Sequence, residues 1–292
     1  MAQRRIRSTV GASALALALV LAPVLAGCSS NPRPSPGQTP AVVPVIPVVP
    51  VDPTGIPGAW KTTLNDGPTQ LAQWGGWFGG GLTGPVNTNE NACYSSDHVG
   101  MTPFTLTGQR NLTLTLTGDR NTCSGTTYPY TGALISSRGI FQQTYGAFEA
   151  KVYIPAAPDG SIADWPAVWS DGMNQPQDGE IDAMEGLLGV ACYHTHPPTD
   201  GPGECVPLST FKPGWNIVGW VWQPGSVTFY YNGVQVGRID GHVPSTPNYL
   251  ILDLTNGPGV GGKTVVPATM EVAYVRAWTS IAGSSSSSGA GG

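Results

Sequence analysis

The sequence predicts an all-β chain folded as a two-sheet sandwich or a barrel around one core. Composition is one reason. Gly accounts for 40 and Pro for 28 of the 292 residues, and charged residues for only 11%. The apolar segments are short and rich in Val, Ile, Thr, Tyr and Trp, the profile of many strands divided by turns. Periodicity is another: short alternating runs recur from Trp60 onward, while no stretch past Pro57 keeps a helical repeat over three turns. The length would hold two small domains, but sandwiches often use more than ~200 residues as one. A net charge of −5 without a long basic run leaves no footprint for a phosphate backbone, so nucleic acid is not an expected partner. The nine tryptophans suggest another ligand, because flat rings suit the apolar faces of sugars, although most tryptophans simply pack in cores.

At the N-terminus, Arg4, Arg5 and Arg7 precede an apolar stretch from about Val10 to Leu25. This reads as an export signal, residues 1–27, whose apolar run is short for a membrane-spanning helix. Its end, Leu25-Ala26-Gly27-Cys28, resembles the bacterial lipobox, which implies a lipid on Cys28. The expected location is therefore the outer side of the bacterial cell membrane, facing wall or exterior, with the lipid as the only membrane contact. From 28 to 57 the chain carries prolines at 32, 34, 36, 40, 44, 47, 50, 53 and 57. Such a stretch makes neither helix nor central strand and is expected to be a polyproline II tether, on the order of 80 Å long at ~3.1 Å per residue. Residues 58–282 form the expected folded domain, and 283–292 a disordered Gly/Ser tail. With Cys28 set aside, Cys93, Cys123, Cys192 and Cys205 remain for an oxidising compartment. Pairing neighbours gives Cys93 with Cys123 and Cys192 with Cys205.

Within 58–282 the strands follow in order. Asn111–Thr117 (NLTLTLT) puts leucines on one face and threonines on the other. Tyr145–Pro155 is a second run, and Ser226–Val236 a third, in which Asn232-Gly233 supplies the positive φ angles of a two-residue hairpin. Leu250–Leu254 and Met270–Trp278 read as two more buried strands.

Asp178 opens the string DGEIDAMEG. Alternation puts Glu180 and Asp182 on one face and Ile181 on the other; Glu185 breaks the pattern unless Ala183-Met184 forms a β-bulge that returns it to the same face. Three close carboxylates repel one another. Such a cluster serves as a solvated acidic edge, as a cation site, or as the paired acids of glycoside hydrolysis, where one carboxylate attacks the anomeric carbon and another protonates the leaving oxygen.

The string Glu180-Ile181-Asp182-Ala183-Met184-Glu185 resembles the ExDxxE signature of glycoside hydrolase family 16 in its bulged, laminarinase-like form. Tyr145–Lys151 (YGAFEAK) is similar to the family's YGxFEAR strand, and Trp165–Trp169 (WPAVW) to its WPAFW segment. Trp222-Gln223-Pro224 with the following hairpin, and Tyr249–Leu254, resemble two later stretches, so the likeness covers roughly 130–278. It implies a concanavalin A-like β-jelly-roll sandwich with a concave cleft, in which Glu180 is the nucleophile, Asp182 its helper and Glu185 the acid/base. Trp165 and Trp169 become candidate sugar platforms. The implied activity is retaining, endo-acting hydrolysis of β-1,3- or mixed-linkage glucan by a monomer that requires no cofactor, with a structural calcium as an option. Three positions depart from the pattern: Gln175 stands five residues before the nucleophile where tryptophan is common, Lys151 replaces the arginine, and Asp253 stands where asparagine is common.

Cys192, His194 and His196 alternate on one face and, with Asp200 or Glu204, would suit zinc. The resemblance offers another use, with His194 or His196 bonded to Glu185 or to a sugar hydroxyl. His98 and His242 lie in turn-like sequence without an assigned role. The readings in competition are thus a hydrolase or its transglycosylase relative, a non-catalytic carbohydrate-binding lipoprotein, and a zinc-bound surface protein.

Overall fold

The computed structural model describes residues 51–76, 81–105, 108–196 and 201–281. The signal segment 1–27, Cys28, the proline-rich stretch up to 50, the tail 283–292 and Asp200 lie outside the described residues. In chain order the strands are β1 (Trp60–Asp66), β2 (Leu82–Thr83), β3 (Ala92–Ser95), β4 (Val99–Met101), β5 (Leu112–Leu116) and β6 (Asn121–Cys123). There follow β7 (Thr126–Tyr128), β8 (Tyr130–Ser136), β9 (Gly146–Ile154), β10 (Trp165–Gly172), β11 (Glu180–Leu187) and β12 (Val190–His196). The last six are β13 (Gly203–Val206), β14 (Gly214–Gln223), β15 (Ser226–Tyr231), β16 (Val234–Asp240), β17 (Asn248–Thr255) and β18 (Ala268–Ser280). Among the described residues α-helix is limited to one turn, Pro68–Leu71, and no helix is long and apolar enough to cross a membrane.

Two eight-stranded sheets stack into a jelly-roll sandwich, as the alternating runs and the family likeness lead one to expect. The first runs β16-β15-β14-β9-β18-β5-β4 with β1 also on β18; the second runs β13-β12-β11-β10-β17-β8-β3-β2. Strand periodicity sets what each face does. On β5, Leu112, Leu114 and Leu116 are fully buried while the threonines between them are half-exposed; each leucine contributes roughly 2 kcal/mol by leaving water. They belong to one buried cluster with Phe148, Trp220, Trp222 and Phe229 of their own sheet and Val168, Ile181, Leu250 and Leu252 of the other. The turn between β15 and β16 has Asn232 at φ 52° and Gly233 at φ 79°, the two positive angles that the Asn-Gly pair predicts.

The outer face of the second sheet is also lined with apolar residues. Tyr94, Leu134, Ala167, Trp169, Tyr249 and Ile251 form a separate buried cluster there, of which Ala167 and Trp169 line a cleft. Both expected disulfides are present. Cys93–Cys123 fastens the β6–β7 hairpin to β3, and Cys192–Cys205 joins directly paired residues of β12 and β13. Residues 51–57, at the end of the proline-rich stretch, lie against the outer face of the first sheet: Trp278 donates its indole N–H to the Val51 carbonyl at 2.7 Å, and Thr54 N donates to Glu149 at 2.6 Å.

Candidate active site

The site is built on β11, and its geometry follows from one irregularity of register. On the β10 side, Trp169 pairs with Asp182 and Val168 with Met184, so Ala183 has no partner. On the β12 side, Asp182 pairs with His194 and Glu185 with Cys192, so Ala183 and Met184 together face Tyr193. This is the β-bulge that the spacing predicts. It turns Glu180, Asp182 and Glu185 to the cleft while Ile181, Ala183 and Met184 are fully buried in the core. The bulge is held from inside, because Tyr231 donates its hydroxyl across the core to the Ala183 carbonyl at 3.0 Å. That contact satisfies a carbonyl the disturbed ladder would leave short of partners.

Each acid has distinct surroundings. Asp182 is only 3% exposed, and His196 Nε2 lies 3.1 Å from its Oδ2. Burial, then the charge of Glu185, holds the Asp182 carboxyl well above the usual carboxylate range. Glu180 is also pushed well up, by burial and then by Asp182. Two carboxyls so placed share a proton rather than both ionising. Gln175 leans on this pair from the loop before β11: its Nε2 donates to Glu180 Oε2 at 2.7 Å and to Asp171 Oδ1 at 2.8 Å. Glu185 is held at both oxygens, with Trp165 Nε1 donating to Oε1 at 3.1 Å and His194 Nδ1 lying 2.9 Å from Oε2.

The sequence-predicted residues therefore converge, with some roles redistributed. His194 serves Glu185 and His196 serves Asp182. The zinc set does not assemble, since Cys192 is bonded to Cys205 and Glu204 accepts from the Tyr193 hydroxyl at 3.0 Å. Glu180, Asp182 and His196 do bring ligand atoms within 4.8 Å of one another, so the metal-capable cluster among the described residues lies within the acid site itself. Trp165 and Trp169 line the cleft on either side of Ala167 but are 7% and 5% exposed. Their indole N–H groups are committed to Glu185 and, at 2.7 Å, to Asp253.

Sequence reasoning marks Asp253 only as a departure from asparagine and misses Glu90 and Tyr94. Asp253 also accepts from the Tyr94 hydroxyl at 3.1 Å. Its carboxyl is held well above the usual range by burial and by Glu90. Glu90, 8% exposed, sits in the same cleft, accepts from Val86 N at 3.1 Å, and is pushed up to about 7 by burial. Neither Glu90 nor Tyr94 stands in a local pattern that marks it. Glycine matters at one position: a Cβ at Gly203 would fall on the His194 ring, so β13 can pass beside that histidine only without a side chain there.

No family model matches the chain. In sequence it is 28% identical over 170 residues to an endo-1,3-1,4-beta-glycanase, EglC, of Rhizobium meliloti, covering 52% of this chain and 34% of that protein. It is 25% identical over 183 residues to a beta-glucanase of Rhodothermus marinus, covering 51% of this chain and 62% of that one. The matches thus span from about a third to under two thirds of these relatives' own length. Among solved structures, the laminarinase catalytic domain from Thermotoga maritima superposes with a TM-score of 0.57 at 20% identity, covering 76% of this chain and 99% of that one. The laminarinase from Rhodothermus marinus does so with 0.58 at 22% identity, covering 76% and 98%. The chain is accordingly a sequence homologue of bacterial β-glucanases, and its fold is the jelly-roll sandwich of the laminarinases.

Proposed function

We propose that the chain is a retaining, endo-acting hydrolase of β-1,3- or mixed-linkage glucan, with Glu180 as nucleophile and Glu185 as general acid/base. The observation that carries this reading is the bulge, which sets two glutamates and a buried aspartate on one cleft-facing surface. The sequence relationship to β-glucanases supports it and indicates the substrate class. Endo cleavage would require the open cleft that the likeness to glycoside hydrolase family 16 implies.

In the first step Glu180 attacks the anomeric carbon while Glu185 gives its proton to the glycosidic oxygen; the C–O bond breaks and its electron pair stays on the departing sugar. In the second, Glu185 takes a proton from water, the water oxygen attacks the same carbon, and Glu180 leaves as carboxylate. Asp182, the more enclosed partner of the dyad, keeps the shared proton so that Glu180 attacks as an anion, helped by the Gln175 N–H. Trp165 and His194 fix the plane of the Glu185 carboxyl between donor and acceptor duties.

Unequal roles give unequal mutants. Glu180→Gln abolishes turnover of every substrate, because no glycosyl-enzyme forms. Glu185→Ala still cleaves an activated aryl β-glycoside, whose leaving group needs little protonation, while polymer is hardly cut. Azide then rescues Glu185→Ala and yields a β-glycosyl azide, whereas Glu180→Ala yields the α-azide. Polymer cleavage by Glu180→Gln, or inversion at the anomeric carbon, would refute the assignment. Digestion of laminarin, lichenan, agarose, galactan and xyloglucan, with sizing of products, fixes the linkage and separates hydrolysis from transglycosylation. We further propose that Cys28 carries a lipid that anchors the protein outside the cell; Cys28→Ser should release it to the medium or leave the signal uncleaved, and a freely soluble parent protein would contradict the anchor.

A further inference from the structure

We propose that the outer face of the first sheet carries a second groove that binds a neutral polysaccharide chain, on the side of the sandwich away from the acids. The register lays the groove out. Arg238, Thr228 and Val221 pair in one row across β16, β15 and β14, and β1 adds Trp60 opposite Ser280, while Ala147 and Trp278, next in the row, are fully buried. Three strands at ~4.8 Å spacing span on the order of 10 Å, the length of about two pyranose rings. Pro57, Gly58 and the Trp60 ring form one bank and Gln235 with Arg238 the other, enclosing about 610 Å³.

The chemistry of the lining points to the ligand. Tyr230, Tyr145 and Trp60 offer ring surface to the apolar faces of sugars. Gln223 and Gln235 are exposed amides, each able to donate and accept toward adjacent hydroxyls. Charge decides between ligand classes. Arg238 is the charged residue of this groove among the described residues, and it is neutralised by Asp240 at 2.7 Å and bonded to Thr228 at 3.0 Å. An anionic polymer would find no net attraction here. A groove elsewhere on the sandwich gathers Arg110, Lys151 and Arg276, the wrong chemistry for an uncharged chain. The inference rests on the reading of the protein as a polysaccharide hydrolase, for which a second hold keeps the enzyme on an insoluble or long substrate between cuts.

The test uses the full chain carrying Glu180→Gln, run in native gels that contain β-1,3-glucan, mixed-linkage glucan, galactan or xyloglucan. Retardation by at least one of these polymers is expected. Adding Gln223→Ala and Gln235→Ala, whose side chains are exposed and not needed for packing, should weaken retention several-fold. Adding Trp60→Ala should bring the loss to about fivefold or tenfold, the scale of one lost sugar-stacking ring. With Glu180 intact, the same groove variants should keep kcat/KM on a soluble tetrasaccharide and lose it on the polymer. No retention by any of the polymers, or retention indifferent to the groove substitutions, overturns the proposal. A chain that cuts none of the polymers but is still held through Gln223, Gln235 and Trp60 refutes the hydrolase reading and leaves the groove standing.

Discussion

At the residue scale the cleft shows how neighbours make similar carboxyls behave differently. Glu180 and Asp182 are both displaced upward by burial, Glu180 further by Asp182 and Asp182 by Glu185, and Glu180 receives an amide N–H donor, from Gln175 at 2.7 Å. A donor to the anion favours ionisation. Gln175→Ala should therefore raise the Glu180 pKa further and move the acid limb of the kcat/KM profile to higher pH, with a loss of about threefold to tenfold at the optimum, since the amide is exposed and its bond is worth only ~1 kcal/mol. Gln175→Glu should move the limb further in the same direction by adding a like charge. A limb that stays in place while activity falls would show that Gln175 only shapes the loop. In sequence this residue stands out only as a departure from a tryptophan. Its contact is visible only once the loop before β11 is folded. The same holds for Tyr94 and Asp253, which meet across 159 positions, and for the two tryptophans, whose indole N–H groups prove to be committed to carboxylates.

At the element scale, what was legible was what period two controls. The leucine strand, the Asn-Gly hairpin and the bulge follow from counting residues, because a one-residue slip exchanges every side chain between core and surface. The disulfides followed from proximity and compartment. Strand order did not, for the parallel pairing of β3 with β8 joins segments without any shared local pattern. The bulge provides the sharpest test at this scale. Deleting Ala183 removes the extra residue, so Glu180, Asp182 and Glu185 stay on the cleft face by plain alternation and Met184 stays in the core. The deletion variant should therefore fold with a cooperative melt and keep part of its activity, the loss reflecting the shift of Glu185 relative to Trp165 and His194. A deletion variant that does not fold would mean that the surroundings of β11 need the extra residue, through contacts such as the Tyr231 hydroxyl on the Ala183 carbonyl. Ala183→Gly, which keeps the residue count, should fold and retain turnover, with a stability loss of about 1 kcal/mol.

At the scale of the whole molecule, the acids that equip the cleft set how stability depends on pH. Burial raises Glu90 to about 7, Asp164 to about 6 and Asp171 to about 6, and raises Asp182 and Asp253 in the same direction. A carboxyl with a raised pKa holds its proton more tightly folded than unfolded. Its contribution to stability is thus complete below the ordinary carboxylate value and is lost as pH rises through the folded value. The protein should accordingly melt several degrees higher near pH 5 than near pH 8, with the decline centred between about 6 and 7. Glu90→Gln removes one of these titrations: the melting temperature at pH 8 should rise relative to the parent, by at most on the order of 3 kcal/mol of stability, while the pH 5 value changes little. Asp182→Asn should show the same gain at high pH, while its turnover falls between those of Glu180→Gln and Glu185→Ala with a shifted pH profile, because the amide stands in for the protonated Asp182 but exchanges no proton with Glu180. Stability and activity would then separate at a single position, as expected where buried charge serves chemistry at the expense of the fold. A melting temperature that rises from pH 5 to pH 8, in the parent and in Glu90→Gln alike, would show that these acids are solvated or paired more fully than their burial implies.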